Sequence, residues 1–533
     1  MIQAVLFNGN IITLDKRRPR AQALAISYGR VVALGGNAEI QRLAGADTAL
    51  VNLAGKTVLP GLTDAHLHWE GQARALRSVD VFELPDKALA LERVRERVQA
   101  TPAGEWVSGQ GWAQELWPGR VFPTRVELDA VAPHHPVYLS AKSGHAAWVN
   151  SLALERAGIG ASTADPEGGQ IMRDADGAAT GILLETAMDL VSAFIPKPTG
   201  EQLADMMAEA QEQALRCGIT MIHDFDEPSC LAALQILRER GGLALRVLKQ
   251  INQQWLDAAV DSGIRGGFGD DWIRIGALKL FADGALGPKT ALMFAPYEGE
   301  PDNYGMPVVD KEEMVEYVSR ASAFGLPSSI HAIGDKAVHD ALDVFDVVRR
   351  EEAARGEPTS VRRHRIEHVQ IIHPSDVGRL AELDVIASMQ PIHATSDMGA
   401  ADRYWGARTA YAYNPRSQLN HGARLALGSD APVEPFDPFL GIHAAVTRER
   451  DGHPAGGWHP EAKLSLRESL LGFSQGPAYA AGMEDRLGKL DEGFLADLIV
   501  LDRDIIDIEP EEILELKVLA TMVGGEWRFR DLD

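Results

Sequence analysis

Eight short apolar runs, alternating with helical patterns, constrain this chain more than any other feature of its sequence. They cover residues 57–68, 218–224, 245–249, 273–280, 327–331, 365–368, 385–389 and 425–430, with helical stretches such as 336–352 between most of them. Strand alternating with helix implies a parallel sheet, because parallel neighbours need a crossover connection. Eight such units predict an α/β protein built on a closed (β/α)8, TIM-like barrel. An open doubly wound sheet is the competing architecture, but no Gly-x-Gly-x-x-Gly loop follows the first run.

Both ends of the chain read differently. Residues 4–7, 11–14, 23–27 and 31–34 have the texture of short strands, with turn signals at Asn8-Gly9-Asn10 and Gly29-Arg30. Residues 496–502 and 520–525 match them at the other end. Neither group makes a core alone, so the two ends are expected to join in one small β domain formed by residues 1–56 and 485–533. Residues 57–484 form the barrel, and the long gap at about 70–212 requires an insertion. Four of the ten tryptophans lie in that gap: Trp106, Trp112, Trp117 and Trp148. They either roof a substrate pocket or fill the insertion's own core.

Polar residues recur where the apolar runs stop. His66 and His68 end the first, Lys279 the fourth, His331 the fifth, His368 the sixth and Asp430 the eighth. Residues i and i+2 of a strand share a face, so His66 and His68 can aim two imidazoles at one metal ion. Each histidine alone is as compatible with an ordinary hydrogen-bonded side chain. In a barrel, however, the strand C-termini converge on one mouth, and the six residues become neighbours.

A net charge of −24 argues against nucleic acid or an anionic membrane as partner, since phosphate binding needs a basic surface. No apolar run approaches the roughly 20 residues of a membrane span. The first residues carry no basic region followed by a signal-type apolar stretch, and there are only two cysteines, Cys217 and Cys230. A cytoplasmic protein acting on a small molecule is expected, with a homodimer as the commonest assembly.

The motifs, in order, are Pro60-Gly61-Leu62-Thr63-Asp64-Ala65-His66-Leu67-His68, Ser143-Gly144-His145-Ala146-Ala147-Trp148-Val149-Asn150 and Lys279-Leu280-Phe281-Ala282-Asp283-Gly284-Ala285-Leu286-Gly287. His331-Ala332-Ile333-Gly334-Asp335, Ile366-Glu367-His368, Gly428-Ser429-Asp430-Ala431-Pro432 and Glu492-Gly493-Phe494-Leu495-Ala496-Asp497 complete the set. With them the chain resembles the amidohydrolase superfamily, specifically the YtcJ-like family 3 group that includes N-substituted formamide deformylases. The resemblance implies a metal-bearing barrel beside a small β-sandwich built from both chain ends. It also implies His66, His68, His331, His368 and Asp430 as metal ligands. Lys279 is similar to a strand-four lysine that carbon dioxide carboxylates in binuclear members; the alternative is an unmodified lysine in an ion pair, with Asp283 to balance its charge. The ion expected is Zn2+, one or two per chain, with Mn2+, Co2+ or Fe2+ as alternatives. The implied activity is hydrolysis of a C–N bond of amide, formamide or carbamate type, by metal-activated hydroxide with Asp430 as proton carrier. An esterase, lactonase or isomerase on the same site, or a non-catalytic binding protein, are the other readings. His145, Trp148 and His393 are the expected substrate contacts, although His393, like His223, fits a structural hydrogen-bonding role equally well.

Overall fold

The computed structural model describes residues 1–82, 84–142, 146–166, 168–506 and 508–532. Eight parallel strands form one sheet: β1 (Leu62–Leu67), β2 (Ile219–Asp224), β3 (Arg246–Asn252), β4 (Ile273–Phe281), β5 (Ser328–Ala332), β6 (Arg365–His368), β7 (Ile386–Met389) and β8 (Leu425–Leu427). Each pairs with its sequence neighbour, in the order β8-β7-β6-β5-β4-β3-β2-β1. Past the ends of β1 and β8, Asp430 N–H donates to the His66 carbonyl and His68 N–H to the Ala431 carbonyl, both at 2.7 Å, bringing the two edges together. The fold is thus a (β/α)8 barrel.

Every residue of β1, β2, β6, β7 and β8 is buried. Parallel strands covered on both faces read as continuous apolar runs, which is why the sequence displayed them. The helix Asp335–Ala354 shows the complementary pattern. Val338, Ala341, Leu342, Phe345 and Val348 recur every three or four residues and bury one face against Ile330 and Ile366 of the sheet. Each large side chain so buried contributes roughly 1.5–3 kcal/mol.

The first apolar run proves to be two strands. Thr57–Pro60 joins a six-stranded sheet with Asn10–Ile12, Arg20–Ala21, Leu498–Leu501, Val518–Val523 and Glu526–Arg530, and only Leu62–Leu67 enters the barrel. Gly61 makes the transfer: a Cβ there would lie 2.3 Å from the Thr220 side chain. A four-stranded sheet of Ala4–Phe7, Ala23–Ser27, Arg30–Gly35 and Ala49–Asn52 shares a core with the six-stranded one, through Leu6, Leu24 and Ile26 against Ile11, Val58, Leu498 and Met522.

Contact-wise the chain divides into two compact units, residues 1–71 with 207–533, and residues 72–206. The barrel and the paired end sheets therefore form one unit, without a break at residue 57. The second unit carries its own mixed six-stranded sheet. Its core holds Trp112, Trp117 and Trp148 with Leu139 and Ile182. All three indoles are buried and donate to backbone carbonyls of the same unit, those of Leu139, Leu84 and Thr124. Trp148, expected as a substrate contact, is thus packed in the core of its own unit. Trp106 is partly buried against a second cluster of that unit. His145 lies outside the described residues. Among the described residues no helix is long and apolar enough to cross a membrane.

Candidate metal centre

The strand ends bring the expected histidines and the aspartate together. His66 sits on β1, His331 on β5 and His368 at the end of β6, while Asp430 follows β8. One Asp430 oxygen, Oδ1, lies 3.5 Å from His66 Nε2 and 3.6 Å from His68 Nε2. Its other oxygen, Oδ2, is 3.2 Å from His393 Nε2. The His368 ring stands 4.8 Å from that of His66 and 4.6 Å from that of His331, centroid to centroid. Two trios thus share Asp430: His66 with His68, and His368 with His393.

Each ring is committed at one nitrogen. His66 Nδ1 meets Glu367 Oε2 at 2.7 Å, and His68 Nδ1 meets Asp226 Oδ1 at 3.0 Å. His368 Nδ1 faces Gln390 Oε1 at 2.9 Å, whereas His331 engages the Gly284 carbonyl at 2.9 Å through Nε2, and its Nδ1 has no hydrogen-bond partner among the described residues. A ring N–H donated to a carboxylate or carbonyl fixes the tautomer and turns the opposite lone pair outward. His66 Nε2 is buried with no hydrogen-bond partner among the described residues. A buried polar atom without a partner costs on the order of 1–3 kcal/mol unless something takes its lone pair. The donor set, four imidazoles and a carboxylate, is that of a zinc-like ion. By this test the residues fit a divalent metal.

Electrostatics agree. Burial drives the pKa of His66 down to about 4 and that of His331 down to about 3, and pushes His368 well below the ordinary value, so all three are neutral near pH 7 and free to ligate. His68 moves the other way: burial opposes its charge, but Asp226 and Asp430 outweigh that and raise its pKa. Burial disfavours the Asp430 carboxylate too, yet the hydrogen bond from His393, together with that ring's charge, holds the pKa well below the usual carboxylate range.

Lys279 is buried on β4. Its Nζ stands 4.7 Å from the Phe225 ring and 4.6 Å from the Phe281 ring, and the Phe225 ring stacks on His66 at 3.9 Å. Burial lowers the Lys279 pKa to about 8, against the pull of Glu367 and Asp430. Asp283 does not serve Lys279. Its carboxylate accepts the backbone N–H groups of Leu292, Ile333 and Gly334. His223 is wholly buried and accepts from Arg365 at 3.0 Å, which is the structural role considered for it.

Backbone geometry at the centre is strained. His368 and Asp430 have φ of 75° and 66°, a region that costs non-glycine residues about 1–2 kcal/mol each. On β6, Arg365 and Glu367 are two apart and share a face toward the barrel interior. The left-handed turn at His368 lets the next residue contribute from the same side. Gly428 permits the matching approach of β8, since a Cβ there would meet His66 N at 2.5 Å. Asp64 then clasps the two segments, accepting from His66 N, Ser429 N and Ser429 Oγ at 3.0, 3.1 and 2.5 Å.

Glu367, Asp226, Gln390 and Asp64 carried no assigned role in the sequence. The available signal was parity: Asp64 and Glu367 each lie on an interior-facing strand position where an apolar residue is the default.

A parallel barrel whose strand ends converge on histidines and an aspartate defines a barrel hydrolase. The chain belongs to the amidohydrolase family, whose model matches residues 49–529. It is 33% identical over 538 residues to the LONG AFTER FAR-RED 3 protein of Arabidopsis thaliana, covering 97% of this chain and 90% of that one. It is 31% identical over 545 residues to an N-substituted formamide deformylase of Arthrobacter pascens, covering 99% and 98%. Among solved structures, an uncharacterized metal-dependent hydrolase of Pyrococcus furiosus shares 31% identity with a TM-score of 0.77, over 94% of this chain and 99% of that one.

Proposed function

We propose that the protein hydrolyses a carbon–nitrogen bond of amide, formamide or carbamate type in a small, partly apolar molecule, at a centre of one or two divalent ions, zinc foremost. The observation that carries this reading is the convergence of His66 Nε2 and His68 Nε2 on one Asp430 oxygen, with both Nδ1 atoms held by carboxylates. The similarity to a formamide deformylase along nearly the whole chain supports the bond type.

His66, His68, His331, His368 and Asp430 would hold the ions. When bound, a divalent ion supplies Lewis-acid polarisation of a carbonyl and brings the pKa of water toward roughly 7. Asp430 would accept the proton of the attacking water and hand it to the leaving nitrogen, the role of a general base that becomes a general acid. His393, whose pKa the Asp430 carboxylate raises against the effect of burial, steadies that carboxylate through Oδ2. Lys279 completes the set as a carbamate. With a pKa near 8 a usable fraction of its amine is neutral at physiological pH, so its lone pair can bond to the carbon of CO2 and release a proton. The resulting anion replaces a cation that no metal would accept.

Phe281 supports the apolar part of the substrate. It ends β4, is 39% exposed, and its ring lies 5.1 Å from that of His331. Both cysteines are free thiols, in keeping with a reducing cytoplasm.

Elemental analysis of protein purified without added metal or chelator tests the reading. About two equivalents of metal support the paired centre and a carboxylated Lys279. About one withdraws the support for a carboxylated Lys279, and none, with none regained from zinc or manganese, overturns the hydrolase. Asp430→Asn is expected to abolish turnover of formamides and amides while sparing the fold, and wild-type turnover by that variant would exclude the proton-carrier role.

A further inference from the structure

One large cavity in the barrel unit lies away from the histidines. It has a volume of about 640 Å3, within the range of roughly 300–1,000 Å3 typical of small-molecule sites. Leu425, the first residue of β8, lines it, while Asp430 stands beyond the other end of that strand. None of the histidines of the metal centre, nor Asp430, lines it. The floor is apolar, built from Leu14, Leu419, Leu425, Leu471 and Leu487.

The rim carries five basic and three acidic side chains, a net charge of +2 on a chain of −24. How those charges are paired matters more than their count. Asp15 pairs with Arg17 and Lys489, Glu468 with Arg416, and Glu484 with Arg363, so each rim carboxylate already has a cation. Arg424 is taken by Asp384. The side chains of Lys16 and Arg467 line the same cleft and make no ion pair or hydrogen bond among the described residues. Tyr479 lies between the Arg363 and Arg424 guanidinium groups, at 4.4 and 4.3 Å from its ring, and its hydroxyl is likewise unspent. An apolar floor beneath two unpaired cations and a hydroxyl donor is complementary to an anion with an apolar body.

We infer that this cleft binds a small amphipathic organic anion, a chain or ring of modest size bearing one carboxylate or phosphate, independently of the metal centre. The apolar body lies along the leucines, and Lys16, Arg467 and the Tyr479 hydroxyl take the anionic head. None of these residues belongs to the proposed catalytic machinery, so the inference stands or falls apart from the hydrolytic reading.

Isothermal titration of the full, metal-loaded chain with decanoate tests it, with decanol and decyltrimethylammonium as neutral and cationic comparators and decyl phosphate as the second anion. The expected result is saturable binding of one decanoate, or one decyl phosphate, per chain, at least tenfold tighter than decanol, with no binding of the cation. The exposed double change Lys16→Glu with Arg467→Glu should weaken anion binding tenfold or more and leave turnover unaltered. No decanoate binding at millimolar concentration would overturn the inference, as would equal affinity for the three head groups. So would undiminished binding by the double variant, which would place the anion elsewhere. Gel filtration of the same samples covers the remaining outcome: a dimer that the double variant dissolves would assign the cleft to a second copy of the chain instead.

Discussion

Replacing Glu367 by Gln tests the centre at the point where geometry and tautomer meet. The Glu367 carboxylate accepts four hydrogen bonds in a wholly buried setting: from Ser329 Oγ and Arg365 Nε at 2.5 Å each on Oε1, and from His66 Nδ1 at 2.7 Å and Arg365 Nη2 at 2.9 Å on Oε2. A glutamine keeps the shape and one acceptor but turns the other oxygen into a donor. If the carbonyl stays on Ser329, the new NH2 faces His66 Nδ1. The imidazole can answer only by moving its proton to Nε2, the nitrogen that points at Asp430. That tautomer has no lone pair for a metal. Loss of such an orienting partner typically costs 10–100-fold in metal affinity, or about 1.4–2.7 kcal/mol. The Arg365 guanidinium, buried and stripped of its only ion-pair partner among the described residues, adds a stability loss of about 3–5 kcal/mol. The assay is a zinc titration against a competing chelator, alongside urea unfolding of the metal-free protein. Zinc affinity within twofold of wild type, in a variant that folds, would refute the idea that Glu367 sets the His66 tautomer.

Phe281→Ala should lower kcat/KM about tenfold for aryl-bearing substrates relative to short alkyl ones, with metal content unchanged; an unaltered aryl-to-alkyl ratio would remove Phe281 from the substrate wall. Trp148→Phe should cost about 1–3 kcal/mol in stability through its lost volume and its lost bond to the Thr124 carbonyl, while KM stays within twofold; a tenfold KM change without destabilisation would return Trp148 to the substrate. Glu352 offers a pH test remote from the metal. Burial would raise its pKa from 4.5, but His364 at 2.9 Å, Ser322 at 2.6 Å and Arg349 at 2.7 Å outweigh that and hold it at about 2. A depressed carboxylate stabilises the fold above its ordinary pKa, and the contribution is lost as pH falls from about 4.5 toward 2. The difference is worth roughly 3 kcal/mol. Urea midpoints of wild type and Glu352→Gln should therefore differ at pH 7 and converge near pH 2, and a gap that stays constant with pH would refute the account.

All eight barrel strands were legible because parallel strands covered on both faces need uninterrupted apolar sequence, and β6 was placed residue for residue at Arg365–His368. What blurred was the join at Gly61. Thr57–Pro60 and Leu62–Leu67 are both fully buried, so the run is apolar throughout although it changes sheets halfway. Short edge strands such as Arg20–Ala21 and Glu526–Arg530 were missed for the opposite reason, being half-exposed and mixed in polarity. The tryptophans left two readings open because aromatic content records burial without recording against what. Trp148 and Trp117, 6.0 Å apart, satisfy each other inside their own unit.

At the centre itself the candidate ligand positions were readable as types, since histidine and aspartate at strand ends are conspicuous. Their supports were not. Glu367 is 301 residues from His66, and Asp226 is 158 from His68. Nothing local marks a glutamate on β6 as the partner of an imidazole on β1; the barrel's closure alone makes them neighbours. The same closure explains the backbone strain. A histidine following directly after an interior-facing glutamate would, by strand alternation, point to the opposite face. At φ 75° His368 escapes that rule, and at φ 66° Asp430 reaches back toward β1 through its hydrogen bond to the His66 carbonyl. Residues that carry the proposed chemistry are thus held where simple periodicity would not put them, at a backbone cost of about 1–2 kcal/mol each. Glu367, Asp64 and the β1–β8 contacts are the interactions that offset it, which is why the partner of His66, and not His66 itself, is the more revealing residue to change.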